Sequence, residues 1–399
     1  MYNFDEIINR NNTNSLSVDG WRQSILGNDD EMVENEEDLL RFWIADMDFA
    51  TPPEIREAIK RRLDDKILGY TETYDPEYYI TLYKWFKRRY NVTINTNNIV
   101  FSPGVVPALN RLVPLLTQPN ENILIATPSY TPFKKAGDNN CRKVFTSKLK
   151  NTDGYYINDF EDIERQLSDP DKNIKLFILC NPHNPTGRVW TKEELQQLIK
   201  LCFRYDVWVI ADEIHCDLLR QDEIFTSVLS LYPDHPKIIT CTAPSKTFNM
   251  AGCLISHVYI PNDVIRKQWI EKHSEILSPL SIAGTQAAYT HCDNWLDQLK
   301  IYLDANFSFL QNYLRTHLPL AKFEIPQSTY LAWIDLSEYL KNTPHMNRTG
   351  AYLAKQCGVL VEGGDMFVDN GDGFIRMNIA CPRSLLHKGL ARITKTLSN

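Results

Sequence analysis

The sequence has no apolar run approaching the ~20 residues needed to span a bilayer. Its first residues, MYNFDEIINRNN, lack the basic-then-apolar order of a secretory signal. A cytoplasmic protein without a membrane partner is therefore expected. An excess of positive charge is also missing: 43 Lys and Arg against 50 Asp and Glu give a net charge of −7. That balance argues against nucleic acid as the main partner. The nine cysteines form no CxxC pair, and Cys180, Cys202 and Cys241 sit inside apolar runs. Reduced core thiols explain them better than disulfides or zinc, and no metal site is expected. No GxGxxG follows an apolar run, and neither HExxH nor GxSxG occurs. The SKT at 245–247 ends like a P-loop, but Ser245 and Thr240 stand where that loop needs glycine. Nucleotide-binding and zinc-protease readings thus lose their main support.

What the chain does contain is an ordinary globular composition, 43% apolar and 23% charged over 399 residues. From Asn98 to Ile260, short apolar runs alternate with helical patterns: NIVFS, ENILIAT, RKVFTS, IKLFILC, VWVIAD, KIITCT and CLISHVYI. Most read as strands buried on both faces. Between two of them, Leu195, Leu198, Ile199 and Cys202 fall on one helical stripe, and Thr191 and Glu194 stand at capping-box spacing before it. Alternation of this kind predicts an α/β fold with a mostly parallel, doubly wound sheet. The C-terminal third predicts a smaller α+β domain, with FEI, YLAWIDL and FIRMNIA as strands and helices around 346–357 and 384–397. The expected organisation is an N-terminal segment (1–50) joining the small domain, a large domain (51–290) and a small C-terminal domain (291–399). The acidic stretch 31–40 reads as a solvated loop or helix face.

Ligands of doubly wound sheets bind beyond the carboxyl ends of the strands, so those ends carry the functional reading. SPG (102–104) precedes a helix starting near Val105. NPHNPTG opens with Asn181; Asp212 and His215 follow VWVIA; Lys246 ends TAPSK. Each has an ordinary explanation: a strand–helix turn, a loop, a helix cap, a surface histidine, a lysine reaching solvent. Together they fit one chemistry. A lysine in an apolar site has a lowered pKa and becomes a nucleophile towards carbonyls. A carboxylate one strand away can keep a pyridine nitrogen protonated, an asparagine can hydrogen-bond a ring hydroxyl, and a helix N-terminus can take a phosphate. That combination describes a pyridoxal 5'-phosphate site.

The residues also carry a resemblance. WIADMDFATPP (43–53), GYTETYDPEYY (69–79), FSPGVVPAL (101–109), PSYTPF (128–133), CNPHNPTGRVW (180–190), ADEIHCDL (211–218), APSKTFNMAG (243–252), IPQSTYLAWIDL (325–336) and FIRMNIACPR (374–383) resemble the fold-type I pyridoxal phosphate enzymes, the aspartate aminotransferase superfamily. More narrowly, they are similar to its MalY/PatB-like cystathionine β-lyase / cysteine–sulfur lyase branch. The resemblance implies that Lys246 carries the cofactor and later moves the substrate Cα proton. It implies Asp212 as partner of the ring nitrogen, Asn181 as ligand of the ring hydroxyl with His215 nearby, and Tyr130 stacked on the ring. Gly104, Val105 and Val106 with Ser245 would hold the phosphate. Tyr70 would reach in from the neighbouring subunit of a homodimer, and Arg376 would take the α-carboxylate of a small amino-acid substrate, with Tyr330 beside it. One departure stands out: Leu254 occupies the position where many aminotransferases place a phosphate-binding arginine.

The implied activity is α,β-elimination of cystathionine or cysteine conjugates to thiol, pyruvate and ammonia. The segments around Tyr70 and Tyr74 and at Gln327–Tyr330 are expected to choose between those substrates. Two rivals stay open: an aminotransferase with the same cofactor, since the fold does not fix the reaction, and a MalY-like regulatory protein acting through its surface.

Overall fold

The structure, a computed structural model, describes residues 2–27, 33, 36–273, 275–341 and 343–398. Its centre is a seven-stranded sheet. In chain order the strands are β1 (Ile99–Ser102), β2 (Asn122–Thr127), β3 (Val144–Lys148), β4 (Ile174–Cys180), β5 (Trp208–Asp212), β6 (Ile238–Thr242) and β7 (Ser256–Tyr259). Across the sheet the order is β1-β7-β6-β5-β4-β2-β3. Pairing is parallel except at β7, which runs antiparallel to both neighbours.

Both faces of this sheet are covered, which is why its strands read as unbroken apolar runs. Side chains alternate between two cores. Leu176, Ile178 and Ile210 face the helix Val105–Leu116, whereas Phe177, Leu179, Val209 and Ala211 face the helix Lys192–Arg204. The latter starts with the expected capping box: the Thr191 hydroxyl accepts from the Glu194 N–H (3.1 Å), and the Glu194 carboxylate accepts from the Thr191 N–H (2.8 Å).

A second, antiparallel sheet comprises β8 (Leu331–Asp335), β9 (Glu362–Gly363) and β10 (Phe374–Asn378), ordered β8-β10-β9. The helices Asp293–His317, Thr349–Cys357 and Arg383–Leu397 belong to the same C-terminal region. Leu40 and Arg41 pair in parallel with Val359 and Leu360, and the Asn378 N–H donates to the Phe42 carbonyl (2.8 Å). The N-terminal strand thus becomes part of the C-terminal layer.

One expectation needs amendment. FEI (323–325) is not a strand; only Lys322 bridges to Asp335. Pro326, which has no N–H, follows it, and the chain then turns away so that the Ser328 N–H reaches the Gly187 carbonyl (3.0 Å). Gly187 sits at φ +68°, and a Cβ there would lie 2.3 Å from Pro326, so this crossing requires glycine. The acidic stretch 31–40 lies partly outside the described residues; within it, Glu36–Asp38 form an exposed 3-10 turn. Among the described residues, no helix is long and apolar enough to cross a membrane.

Candidate active site

The carboxyl ends of β4, β5 and β6 open into a cavity of about 260 Å³, just below the usual range for ligand pockets. The seven-stranded sheet and its loops supply Tyr130, Cys180, Asn184, Asp212, His215, Ser245 and Lys246. The second sheet supplies Glu362 and Arg376, and Ile44 and Ala45 close the N-terminal side.

Lys246 stands on the short helix Pro244–Thr247 directly after β6. Its amine donates to the Ala45 carbonyl (2.7 Å), which also accepts from the Tyr330 hydroxyl (3.0 Å). Burial, and then the nearby Arg376 cation, lower its pKa to about 8 against the pull of Asp46, Glu362 and Asp212. A large fraction is therefore neutral in mildly alkaline solution.

Asp212 ends β5, in register with Cys180 on one side and Cys241 on the other. Neither neighbour brings a charge, so burial raises the carboxyl to about 7; the Ile214 N–H (3.1 Å) and Lys246 oppose that rise. The adjacent Glu213 is spent structurally, accepting from the Ser227 hydroxyl and the Val228 N–H, each at 2.7 Å. His215 is buried and lowered to about 3, first by burial and then by Lys246 and Arg376, so it is a neutral imidazole; its Nδ1 has no partner among the described residues.

The helix Val105–Leu116 aims its N-terminus at the same cavity. Gly104 stands at its cap position, and no side chain caps it. The first-turn N–H groups of Val105 and Val106 are left for a ligand, and the helix dipole favours an anion there. Ser245 lines the cavity nearby, whereas Leu254 is 63% exposed and contributes no charge. Tyr130 is held by the pairing of Ser129–Tyr130 with Phe367–Val368, and burial, followed by Glu362, pushes its hydroxyl up to about 12.

Arg376 is closed off from solvent on β10. Its Nη1 donates to Asn184 Oδ1 (3.0 Å) and its Nη2 to the Trp43 carbonyl (3.3 Å), while Nη2 is also ion-paired with Glu362.

Three site residues expected from the sequence do not line this cavity. Asn181 does not line the cavity: its carboxamide donates to the Thr226 carbonyl (3.1 Å) and accepts from the Trp190 N–H (3.2 Å), which fixes the loop after β4. Asn184, three residues on, is the asparagine that reaches the cavity. The motif offers Asn-Pro twice, and only the path of the loop separates a structural asparagine from one that faces the cavity. Tyr330 is buried behind Ala45 and braces the carbonyl that receives Lys246 instead of lining the cavity. Tyr70, expected in the neighbouring subunit's site, is 94% exposed and does not line this cavity. Sequence reasoning also missed Ala45 and Glu362; nothing local in VEGG distinguishes Glu362 from a surface glutamate.

The family model for aminotransferase class I and II matches residues 37–393. The cystathionine beta-lyase PatB of Bacillus subtilis is 39% identical over 90% of this chain and 93% of its own length. The protein MalY of Escherichia coli is 33% identical over 90% and 92%. Among solved structures, the pyridoxal phosphate-bound C-S lyase from Staphylococcus hominis superposes with a TM-score of 0.94 at 43% identity, covering 100% of this chain and 99% of that one. With nearly its whole length matched, this chain belongs to the aminotransferase class I and II family.

Proposed function

We propose that the protein is a pyridoxal phosphate-dependent carbon–sulfur β-lyase that eliminates a thiol from cystathionine or cysteine conjugates. The observation that carries this reading is one small cavity joining a lysine of lowered pKa, a buried carboxylate, a helix N-terminus without a side-chain cap and a buried arginine. The likeness to PatB and to the Staphylococcus lyase supports the lyase branch over the wider family.

The residues present fit the cofactor. The helix N-terminus at Gly104–Val106 and the Ser245 hydroxyl would hold its phosphate, Asp212 its ring nitrogen, Asn184 and His215 its ring hydroxyl, and Tyr130 one ring face. When bound, pyridoxal phosphate supplies an aldehyde that captures amines and a ring that accepts the electron pair released at Cα. Arg376 then orients the substrate through its carboxylate. Lys246, neutral, accepts the Cα proton. Asp212, ionised once it faces a cation, holds positive charge where electron density accumulates. Loss of the Cα proton allows the Cβ–S bond to break and sulfur to leave as a thiolate; the remaining three-carbon enamine hydrolyses to pyruvate and ammonia.

Mixing purified holoenzyme with cystathionine, and separately with cysteine, is expected to release pyruvate together with homocysteine or sulfide without any added keto acid. A strict requirement for a keto acid acceptor would instead identify an aminotransferase. Absence of both activities would favour the surface-acting regulatory reading.

The working form we propose is a cytoplasmic homodimer in which Tyr70 completes the partner's site. The support is that Tyr70, Ile67 and Leu68 form an exposed apolar stretch. A Tyr70→Ala protein and a Lys246→Ala protein, each inactive alone, are expected to recover activity when mixed and allowed to exchange subunits. No recovery, with exchange shown by mass, would show that Tyr70 does not complete the partner's site.

A further inference from the structure

Glu362 on β9 stands in register opposite Arg376 on β10, and the two side chains form an ion pair. Both are nearly sealed from solvent, at 13% and 2% exposure. Of the three guanidinium nitrogens, both Nη atoms are engaged. Nη1 donates to Asn184 and Nη2 to the Trp43 carbonyl, the Glu362 carboxylate lies in ion-pair contact with the same Nη2, and Nε has no partner among the described residues.

A carboxylate that binds arginine through two parallel hydrogen bonds uses two of its nitrogens, either Nε with Nη2 or the two Nη atoms. Either way it must take an N–H from Nη2. The Trp43 carbonyl is fixed backbone, so the group that can yield is Glu362. A second carboxylate then shares the guanidinium with Glu362 in a buried site, and two such groups cannot both remain ionised without a large cost. The other titratable groups facing Glu362 are Lys246 and Arg376, which favour its charged form, and the Tyr130 hydroxyl; Asp212 lines the same cavity. Burial outweighs the two cations and raises the Glu362 carboxyl above its ordinary value.

We propose that Glu362 is a positioning residue that occupies Arg376 in the empty site and takes up a solvent proton when an amino acid's carboxylate displaces it, so that substrate and one proton bind together. This rests on the reading that Arg376 receives the substrate carboxylate. As a neutral acid, Glu362 becomes a donor able to hydrogen-bond the newly bound carboxylate.

Propionate, the substrate's carboxylate without its amine, is the probe. It is titrated into weakly buffered holoenzyme with a pH indicator present, between pH 6.5 and 8.5. The wild type is expected to take up close to one proton per site at the upper end, with affinity falling about tenfold per pH unit there. Glu362→Gln is expected to show no uptake, a flat pH profile and tighter binding at pH 8.5. A Glu362→Gln protein that loses propionate altogether would show that the glutamate merely holds Arg376 in place, and would overturn the proposal. So would wild-type binding without proton uptake, or an unchanged pH profile in the variant. Arg376→Ala separates this from the underlying reading. If it binds propionate as well as the wild type, the carboxylate does not dock on Arg376 and both ideas fail, as they do if the wild type binds none. If it loses propionate while the wild type shows no uptake, only the role of Glu362 fails.

Discussion

Lys246→Ala is expected to cut pyruvate release from cystathionine by about 10³-fold or more, the scale of removing a positioned proton acceptor, and by more if covalent capture is lost with it. The visible absorbance of bound cofactor should disappear with the activity. Folding should survive. The amine is a cation lowered to about 8 by burial, and its hydrogen bond is to the Ala45 carbonyl, so alanine removes a group whose charged form was disfavoured there. Thermal denaturation and size-exclusion chromatography check that point. In the wild type, recombination of cofactor-free protein with pyridoxal phosphate should quicken as pH rises through about 8, because only the neutral amine is nucleophilic. A Lys246→Ala protein with full activity would sink the proposed function.

Asp212→Asn should separate stability from function. The folded-state carboxyl is raised to about 7 from an ordinary 3.8, so the empty protein binds a proton on folding between those values. The cost of the buried charge is fully present above pH 7 and fades as pH falls towards 3.8. Asparagine keeps an acceptor for the Ile214 N–H and carries no charge. The cofactor-free variant is therefore expected to melt a few degrees higher than the wild type at pH 8, with the difference vanishing near pH 4. Its elimination activity should fall by about 10²–10³-fold, because no anion then stabilises the positive charge that must persist at the ring nitrogen. Paired melting curves and steady-state rates on the same preparations test both halves. Equal melting at pH 8 would mean that Asp212 is not a buried charge in the empty protein.

Much of the site could be read in the sequence because it lies at the ends of strands, where local pattern is informative. Asp212 closes a buried strand and Lys246 follows another within four residues, and such strands belong to a sheet covered on both faces. The helix after Gly104 was equally visible, since SPG breaks the strand and Val105, Ala108, Leu109, Leu112 and Val113 supply a helical stripe. The misplacements share a cause. Asn181 and Asn184 have the same residue type and the same following proline, and what separates them is contact with Trp190 and Thr226 on one side and with Arg376 on the other. Those partners come from other elements, and Arg376 lies 192 residues from Asn184. FEI has the composition of a strand, but its pairing stops at the Lys322 bridge because the chain turns away through Pro326 to Gly187.

By itself, the sequence determined the alternation of strands and helices, the polar residues at the strand ends, and the lysine and carboxylate available for chemistry. These follow from periodicity and from the cost of burying charge, which act over a few residues. The tertiary structure alone decided that Ala45 receives the lysine, that Asn184 and not Asn181 faces the cavity, that Tyr330 stands behind it, and that Glu362 holds Arg376. Each depends on register and loop path between segments far apart in the chain, where a shift of one residue would turn a side chain to the opposite face.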